Sequence, residues 1–402
     1  MSSQTASALA LIQWSENDLP RSALWRSERN LSPPKTVLVT DDQISADEAY
    51  GLAGQGVGML WRSDFHNARQ LLIALAARAD RRARQRLPAT AGRVEPPQAA
   101  DLFHRVRQAR AQRARTLGML LIELDADYGI ALRRAPVVRE ACLHAWGPAG
   151  GPVVLSLREL LGVIGAHQWL LRGIELPAIG GRIHPHYGVF APTRAEYVDL
   201  VATTPLPAAC LKPGATVFDI GTGTGVLAAV LARRGAPHII ATDTDPRAIA
   251  CAKDNIARLG LASRIELQQC NVFPDGRADL VVCNPPWLPA RPGSPLERGI
   301  YDDDSTMLRG FVSGLAEHLN PAGEGWLILS DLAEHLGLRT RADLLALFDS
   351  AGLELAGYHD IRPRHPKAAD PNDPLHHARR LERTSLWRLR QKPSHDRLNG
   401  GR

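Results

Sequence analysis

Between residues 216 and 390 the chain alternates short apolar, β-branched runs with longer helical stretches, and this pattern limits its fold more than any other feature. TVFDIG, HIIATD, RIELQQC, LVVCN, GWLILS and LELAGYHD read as strands, and helices are expected to start near Val226, Pro246, Thr306 and Arg339. Strand–helix alternation of this kind builds a parallel sheet covered on both faces. RTSLWRLR (383–390) follows LELAGYHD with no helix between them, so it is expected to pair antiparallel as a last strand. The expected fold class is therefore α/β, a Rossmann-like sheet that is parallel except for its last strand.

At 402 residues the chain exceeds one ordinary core, so two domains are expected. The expected organisation is an N-terminal substrate-recognition domain (1–170), a β-hairpin connector (171–190), the α/β domain (191–391) and a disordered tail (392–402). The N-terminal domain reads as a mainly helical α+β unit. TVLVT (36–40) and GVGMLW (56–61) are short strands, and Asp64 is placed to cap a helix running to about Arg86. LPATAGRVEPP (87–97) reads as a loop, followed by a basic helix. GMLLIEL (118–124) and IALRR (130–134) flank DADYG and suggest a hairpin. Pro136 is expected to open a helix, and Ser156 to cap LRELLGVIGAHQWLL. The first twenty residues are expected to lack order, as termini often do. GQGVG (54–58) mimics a glycine loop, but no acidic strand end follows it, and a plain turn is expected. GIELPAI and RIHPHYGVF, joined by two glycines, read as the paired strands of the connector.

A hydrophobic fraction of 45% and a charged fraction of 22% belong to a globular chain, and no window is apolar for long enough to span a bilayer. No Lys or Arg precedes the first apolar residues, so the start does not read as a secretory signal. Five cysteines, an odd number without metal or redox spacing, are expected to be reduced thiols, and a cytoplasmic location follows. No metal is expected. The net charge of +6 is uneven: residues 1–170 hold 21 basic and 16 acidic side chains, gathered in RADRRARQR (78–86) and RVRQARAQRAR (105–115). Both runs read as helices, either solvated faces or a nucleic-acid or ribosome contact.

FDIGTGTGVLA (218–228) follows the first strand of the α/β region. Gly221, Gly223 and Gly225 let the backbone turn tightly and approach a ligand closely. A dinucleotide fingerprint requires G-x-G-x-x-G. Here the third glycine comes one residue early and the fingerprint position holds Val226, which argues against a nicotinamide oxidoreductase. Asp219 directly before the glycines gives D-x-G-x-G-x-G, which resembles the loop of class I S-adenosylmethionine-dependent methyltransferases. At the next strand end, Asp243 can accept both hydroxyls of a ribose. Asp245, followed by Pro246, reads as a helix cap. Asn271 ends the third strand, either facing the adenine of the cofactor or serving as a turn residue.

VVCNPPW (281–287) is the other informative stretch. Adjacent prolines remove two backbone donors and stop the strand, fixing a turn whose carbonyls point outward. Such a turn suits a site that needs fixed, outward-pointing carbonyls.

From roughly Gly173 to Gly325 the chain resembles the N5-glutamine methyltransferases of release factors and of ribosomal protein L3, and more broadly the small-domain amino-methyltransferases. The likeness rests on YGVFAPTRAEYVDLVA, DIGTGTGVLA, ATDTDPRAIACAKDN and VVCNPPW in this order. It departs at Trp287, where the family usually has Tyr, and at APTRAEY, where the family usually reads IPRxxTE. The resemblance implies a class I methyltransferase fold and S-adenosylmethionine as cofactor. It implies an acceptor nitrogen whose lone pair is delocalised into a π system, with Asn284 Oδ1 and the Pro285 carbonyl holding its two N–H groups out of plane so that the lone pair can attack, Pro285 and Pro286 fixing the turn and Trp287 stacking on the flat acceptor. Orientation alone contributes about 7–11 kcal/mol to such reactions. Phe190 and Pro192 would cover the methionine end of the cofactor. The implied acceptor is a macromolecule: a glutamine of a translation protein first, an exocyclic base amine of rRNA, tRNA or DNA second. A binding module that kept only the fold is a further class, and an intact Asn284 argues against it. Glu196 and Tyr197 are expected to start a packing helix, LERGIYDDDS (296–305) is a candidate lid, and His365, His376 and His377 are placed to reach a substrate.

Overall fold

A computed structural model describes residues 10–86, 96–364 and 370–393. Two compact units emerge, one of residues 1–89 and 104–168, the other of 90–103 and 169–402. Residues 87–95 of the expected loop 87–97, residues 394–402 of the expected tail 392–402 and His365 lie outside the described residues, and the loop's last two residues, Pro96 and Pro97, instead begin a helix.

The first unit is organised by a six-stranded mixed sheet. Its strands are β1 (Leu11–Glu16), β2 (Leu19–Trp25), β3 (Thr36–Thr40), β4 (Val57–Trp61), β5 (Leu120–Leu124) and β6 (Val153–Ser156), in the order β1-β2-β6-β5-β4-β3. The β1–β2 hairpin corrects the expectation of a terminus without order. Ile12 and Trp14 alternate into the core, and Asn17 and Asp18 both take positive φ, as a two-residue turn of matching twist requires. Helices α1 (Ala46–Gly54), α2 (Phe65–Arg86), α3 (Pro96–Leu117), α4 (Arg139–Trp146) and α5 (Leu157–Arg172) complete this part of the chain. Asp64 and Ser156 act as expected: their side chains accept from His66 N at 2.8 Å and Glu159 N at 3.1 Å.

Two expectations fail here. Residues 130–134 form no strand, because β6 takes the antiparallel place beside β5, with Leu121 opposite Ser156. The Asp125 carboxylate instead closes a loop by accepting from Asp127 N and Gly129 N, and Arg134 turns back to pair with buried Asp64 at 2.7 Å. The helix after Pro136 begins only at Arg139, so the proline stands outside its first turn.

In the second unit, β7 (Ile174–Leu176) and β8 (Gly181–Ile183) form the expected hairpin. The helices α6 (Glu196–Thr203), α7 (Val226–Arg233), α8 (Pro246–Arg258), α9 (Thr306–His318), α10 (Leu332–His335) and α11 (Arg341–Ser350) surround a seven-stranded sheet. Its strands are β9 (Thr216–Ile220), β10 (His238–Asp243), β11 (Ile265–Gln269), β12 (Ala278–Cys283), β13 (Leu319–Ser330), β14 (Leu353–Ile361) and β15 (Thr384–Gln391), in the order β11-β10-β9-β12-β13-β15-β14. Only β15 runs against its neighbours. This is a Rossmann-like sheet, and the antiparallel last strand is where the sequence placed it.

Both faces of the sheet are buried. Leu280 and Val282 of β12 join Val217 and α7 on one face, whereas Val281 and Cys283 join Phe218 and α9 on the other. That period-two division explains why β12 reads as an unbroken apolar run. All five cysteines are free thiols, and four are buried. Among the described residues no helix is long and apolar enough to cross a membrane.

Candidate active site

The central strand β9 has β10 on one side and β12 on the other, so successive connections leave it in opposite directions. Ligands bind to open α/β sheets at such a reversal, outside the carboxyl ends of the strands. Ile220 is paired with Thr242 of β10 and with Cys283 of β12. The residues that follow, Gly221, Asp243 and Asn284, therefore leave three adjacent strands at one level, and Cys270 and Asn271 follow β11, whose Gln269 pairs with Asp243.

The glycine loop needs its glycines. Gly221, Gly223 and Gly225 have φ values of 71°, 55° and 81°, a region in which a side chain is strained. A Cβ on Gly221 would also meet the Met307 Cε at 2.5 Å, and one on Gly225 would press on the backbone and Cβ of Ala252. Asp219 is buried at 1% exposure and braces this turn: its Oδ2 accepts from Thr222 Oγ1 at 2.6 Å and from Ala228 N at 3.0 Å. Burial raises its pKa to about 6 despite those two bonds. Asp243 Oδ2 accepts from Gly223 N at 3.0 Å and its Oδ1 from Asp245 N at 2.9 Å, and burial again raises the pKa. Asp245 is the helix cap expected, accepting from Arg247 N at 2.9 Å. Asn271 is exposed, next to Val272, which takes a φ of 63° and offers its carbonyl to Thr242 Oγ1 at 2.9 Å.

A second anchor was not anticipated. Asn255 of α8 is fully buried and ties the exit of β8 to the glycine loop. Its Oδ1 accepts from His184 N at 2.7 Å, and its Nδ2 donates to the carbonyls of His184 and Thr224 at 3.2 and 3.1 Å.

After Cys283 the chain turns through Asn284, buried Pro285 and half-buried Pro286. The indole Nε1–H of Trp287 donates to Asn284 Oδ1 at 2.8 Å, and the Arg194 guanidinium lies 4.9 Å over the indole ring. Arg194 is in turn held by two buried carboxylates, Glu196 at 2.7 Å and Glu382 at 3.0 Å. Glu196 and Tyr197 begin α6 and are buried, as expected, but the ion pair and the part taken by Glu382 were not foreseen. Phe190 lies against Gly299, where a Cβ would approach its ring closely, and Pro192 is buried. The acidic run of 296–305 serves locally: both carboxylate oxygens of Asp302 accept amides at the start of α9, from Met307 and Leu308, each at 3.0 Å. Its backbone also bonds to Leu288, just after the proline turn. His376 and His377 open the short helix His376–Leu381, which packs against α10.

The region that carries this site is similar to known proteins. Residues 204–285 match the family model described as ribosomal protein L11 methyltransferase (PrmA). A release factor glutamine methyltransferase of Cereibacter sphaeroides is 36% identical over 163 residues, covering 37% of this chain and 56% of that protein. Ribosomal protein L11 methyltransferases of Pelotomaculum thermopropionicum and Vibrio cholerae are 47% and 39% identical, over 18% and 33% of this chain and 25% and 48% of theirs. The chain thus spans about half the length of the curated relatives it matches, or less. The PrmA match ends at Pro285, within the proline turn, and takes in the glycine loop, Asp243 and Asn255.

The residues at the sheet edge fit S-adenosylmethionine. A carboxylate at the end of β10 suits a ribose, and a glycine-rich turn whose three glycines take positive φ lies beside it. Asn284 and the Pro285 carbonyl offer oxygen acceptors one strand away.

Proposed function

We propose that this chain is an S-adenosylmethionine-dependent N-methyltransferase acting on a planar amide nitrogen, the glutamine side chain of a translation protein. One observation carries the reading. Ile220 pairs with Cys283, so the glycine loop and the Asn284–Pro285 turn leave neighbouring strands at the point where the sheet reverses. The likeness to a release factor glutamine methyltransferase supports the choice of acceptor.

S-adenosylmethionine, when bound, supplies an electrophilic methyl group on a sulfonium. Asp243 receives the ribose hydroxyls, and Gly221, Gly223 and Gly225 let the backbone come close to the ligand. Asn271 faces the adenine, and Phe190 with Pro192 covers the methionine end. Asn284 Oδ1 and the Pro285 carbonyl accept the two N–H groups of the acceptor amide and hold them out of plane. The nitrogen lone pair is thereby freed from the carbonyl and aimed. The proton displaced from nitrogen passes to water, so no strong general base is needed. Residues 1–170 select the macromolecule, and the reaction belongs to the cytoplasm, where translation proteins are found.

The test has two parts. Titration calorimetry should detect S-adenosylmethionine binding, and Asn284→Ala should retain it. The same variant should lose transfer of a tritium-labelled methyl group to ribosomes and release factors from a deletion strain. Mass spectrometry then identifies the modified residue. A wild-type chain that binds no S-adenosylmethionine, or an Asn284→Ala variant of full activity, overturns the reading.

A second acceptor class is favoured by one observation. Arg81, Arg82 and Arg84 of α2 and Arg110 of α3 are exposed, which suits a phosphate backbone. If the acceptor is nucleic acid, its binding should fall steeply between 50 and 200 mM salt, by about 10³-fold or more where six or more phosphates are contacted. A nearly flat salt dependence selects the protein acceptor.

A further inference from the structure

We infer that Trp287 is a positioning residue for Asn284, and that Arg194, clamped between Glu196 and Glu382, holds Trp287 in place. The inference rests on the function proposed above and assigns the indole a role other than stacking on the acceptor.

The terminal torsion of an asparagine is soft, with two orientations that exchange oxygen and nitrogen. A mechanism that needs the oxygen must exclude the flipped form. The indole N–H is a donor and nothing else, so the atom it meets at 2.8 Å has to be Oδ1. Flipping Asn284 would set its Nδ2 donors against the indole N–H. The bond therefore selects the orientation, and the second lone pair of Oδ1 remains available for an N–H of the acceptor.

Trp287 can do this only if its ring stays fixed. The Arg194 Cζ lies 4.9 Å from the ring centroid, while the rest of the indole packs against residues of both core faces. The guanidinium has little freedom of its own. Its Nε donates to Glu196 Oε1 at 2.7 Å and its Nη2 to Glu382 Oε1 at 3.0 Å, and the two carboxylates are 3% and 2% exposed. Glu382 also accepts from Ser330 Oγ at 2.7 Å, at the carboxyl end of β13, and that hydroxyl accepts from Leu332 N at 3.1 Å. A continuous chain of contacts thus runs from the end of β13 through Glu382, Arg194 and Trp287 to Asn284.

Nitrogen-15 labelling of asparagine side chains and tryptophan indoles provides the readout, with signals assigned by Asn284→Asp and Trp287→Phe. In the wild type, the Trp287 indole proton should exchange slowly with water. Trp287→Phe keeps an aromatic ring under Arg194 and removes the N–H together with part of the bicyclic ring. It should shift the Asn284 amide signals and lower kcat about 10²-fold. Its KM and calorimetric Kd for S-adenosylmethionine should stay within about twofold of wild type. Arg194→Met should loosen the same indole signal, and Arg194→Lys should restore part of both the signal and kcat. If Arg194→Met does not fold because two carboxylates are left buried, the triple variant R194M/E196Q/E382Q removes the charge and provides the same comparison. The methyl acceptor in all assays is the ribosome and release-factor fraction of a deletion strain. Unchanged Asn284 signals in Trp287→Phe, or turnover equal to or faster than wild type, would overturn the inference. A wild-type chain that fails to bind S-adenosylmethionine would instead overturn the proposed function, leaving the indole–amide signals as a separate result.

Discussion

The Asp243 carboxylate accepts the amide hydrogen of Gly223 at 3.0 Å, so the expected ribose ligand and the glycine loop are joined before any ligand arrives. Asp243→Ala removes this bond together with the acceptor for the ribose. Hydrogen bonds to a charged group contribute about 1.5–3 kcal/mol, which corresponds to a loss in S-adenosylmethionine affinity of roughly 10- to 100-fold. Asp243→Asn keeps an oxygen but loses the charge, and should fall between. Calorimetric Kd values for the three proteins check the order, and equal values would remove Asp243 from the site.

Asp219 is a brace, and its titration should read out in stability. Its folded pKa, about 6, is raised above the ordinary aspartate value of 3.8 because the charged form is buried. The sign follows from linkage: the protonated form favours folding, so this contribution is complete below pH 3.8 and is lost as pH rises through 6. The loss amounts to roughly 3 kcal/mol. Asp219→Asn can still accept from Thr222 and Ala228 through one oxygen and has no charge to bury. Relative to wild type it should gain about 3 kcal/mol between pH 4 and pH 7 in urea denaturation, with S-adenosylmethionine binding changed only a fewfold. A stability difference that stays constant across this range would contradict the argument. A hundredfold loss of affinity would mean that the carboxylate meets the cofactor directly.

The reach of the sequence differs between residues close to a strand end and residues brought together by folding. The seven strands of the larger sheet were legible because each apolar run is bounded by turn chemistry, and their carboxyl ends locate Gly221, Asp243 and Asn284. The β1–β2 hairpin was equally legible, since Ile12 and Trp14 alternate and Asn17–Asp18 is a turn pair. It was missed by treating a terminus as unstructured. The false strand at 130–134 came from local pattern alone, and β6, further along the chain, claimed its place beside β5. Arg194 and Glu382 are 188 residues apart, and nothing in LERT marks Glu382 as buried. Trp287 and Asn284 are only three residues apart, yet the direction of the indole N–H depends on the backbone path through two prolines.

Asn255 provides a third expectation. Three backbone groups, His184 N and the carbonyls of His184 and Thr224, depend on its side chain in a fully buried place. Asn255→Ala leaves them without that partner, and each costs about 1–3 kcal/mol when unsatisfied. A destabilisation of roughly 3–5 kcal/mol in urea denaturation is expected. Because Thr224 belongs to the glycine loop, weaker S-adenosylmethionine binding should accompany it. Asn255→Asp should not rescue, since a carboxylate cannot donate to the two carbonyls and adds a buried charge. Full stability in either variant would show that the hairpin and the loop hold their places without this side chain.

The middle of β13 carries a marked acid sensitivity. Glu324 is 1% exposed and accepts from Arg388 at 2.7 and 2.8 Å, from Arg390 and from the Trp326 indole at 3.2 Å. Burial alone would raise its pKa, but these donors outweigh it and hold the value at about 2, below the ordinary 4.5. The ionised form therefore favours folding. Its contribution is complete above pH 4.5 and is lost as pH falls towards 2, an effect of roughly 3 kcal/mol at neutral pH. Glu324→Gln cannot make this contribution at any pH and leaves Arg388 without its carboxylate. The variant should be less stable than wild type by about 3 kcal/mol at pH 7, and the gap should shrink to about 1 kcal/mol near pH 3. Paired denaturation curves at the two pH values measure the closure, and a gap that does not narrow would mean that the arginines stabilise the sheet by packing rather than by charge.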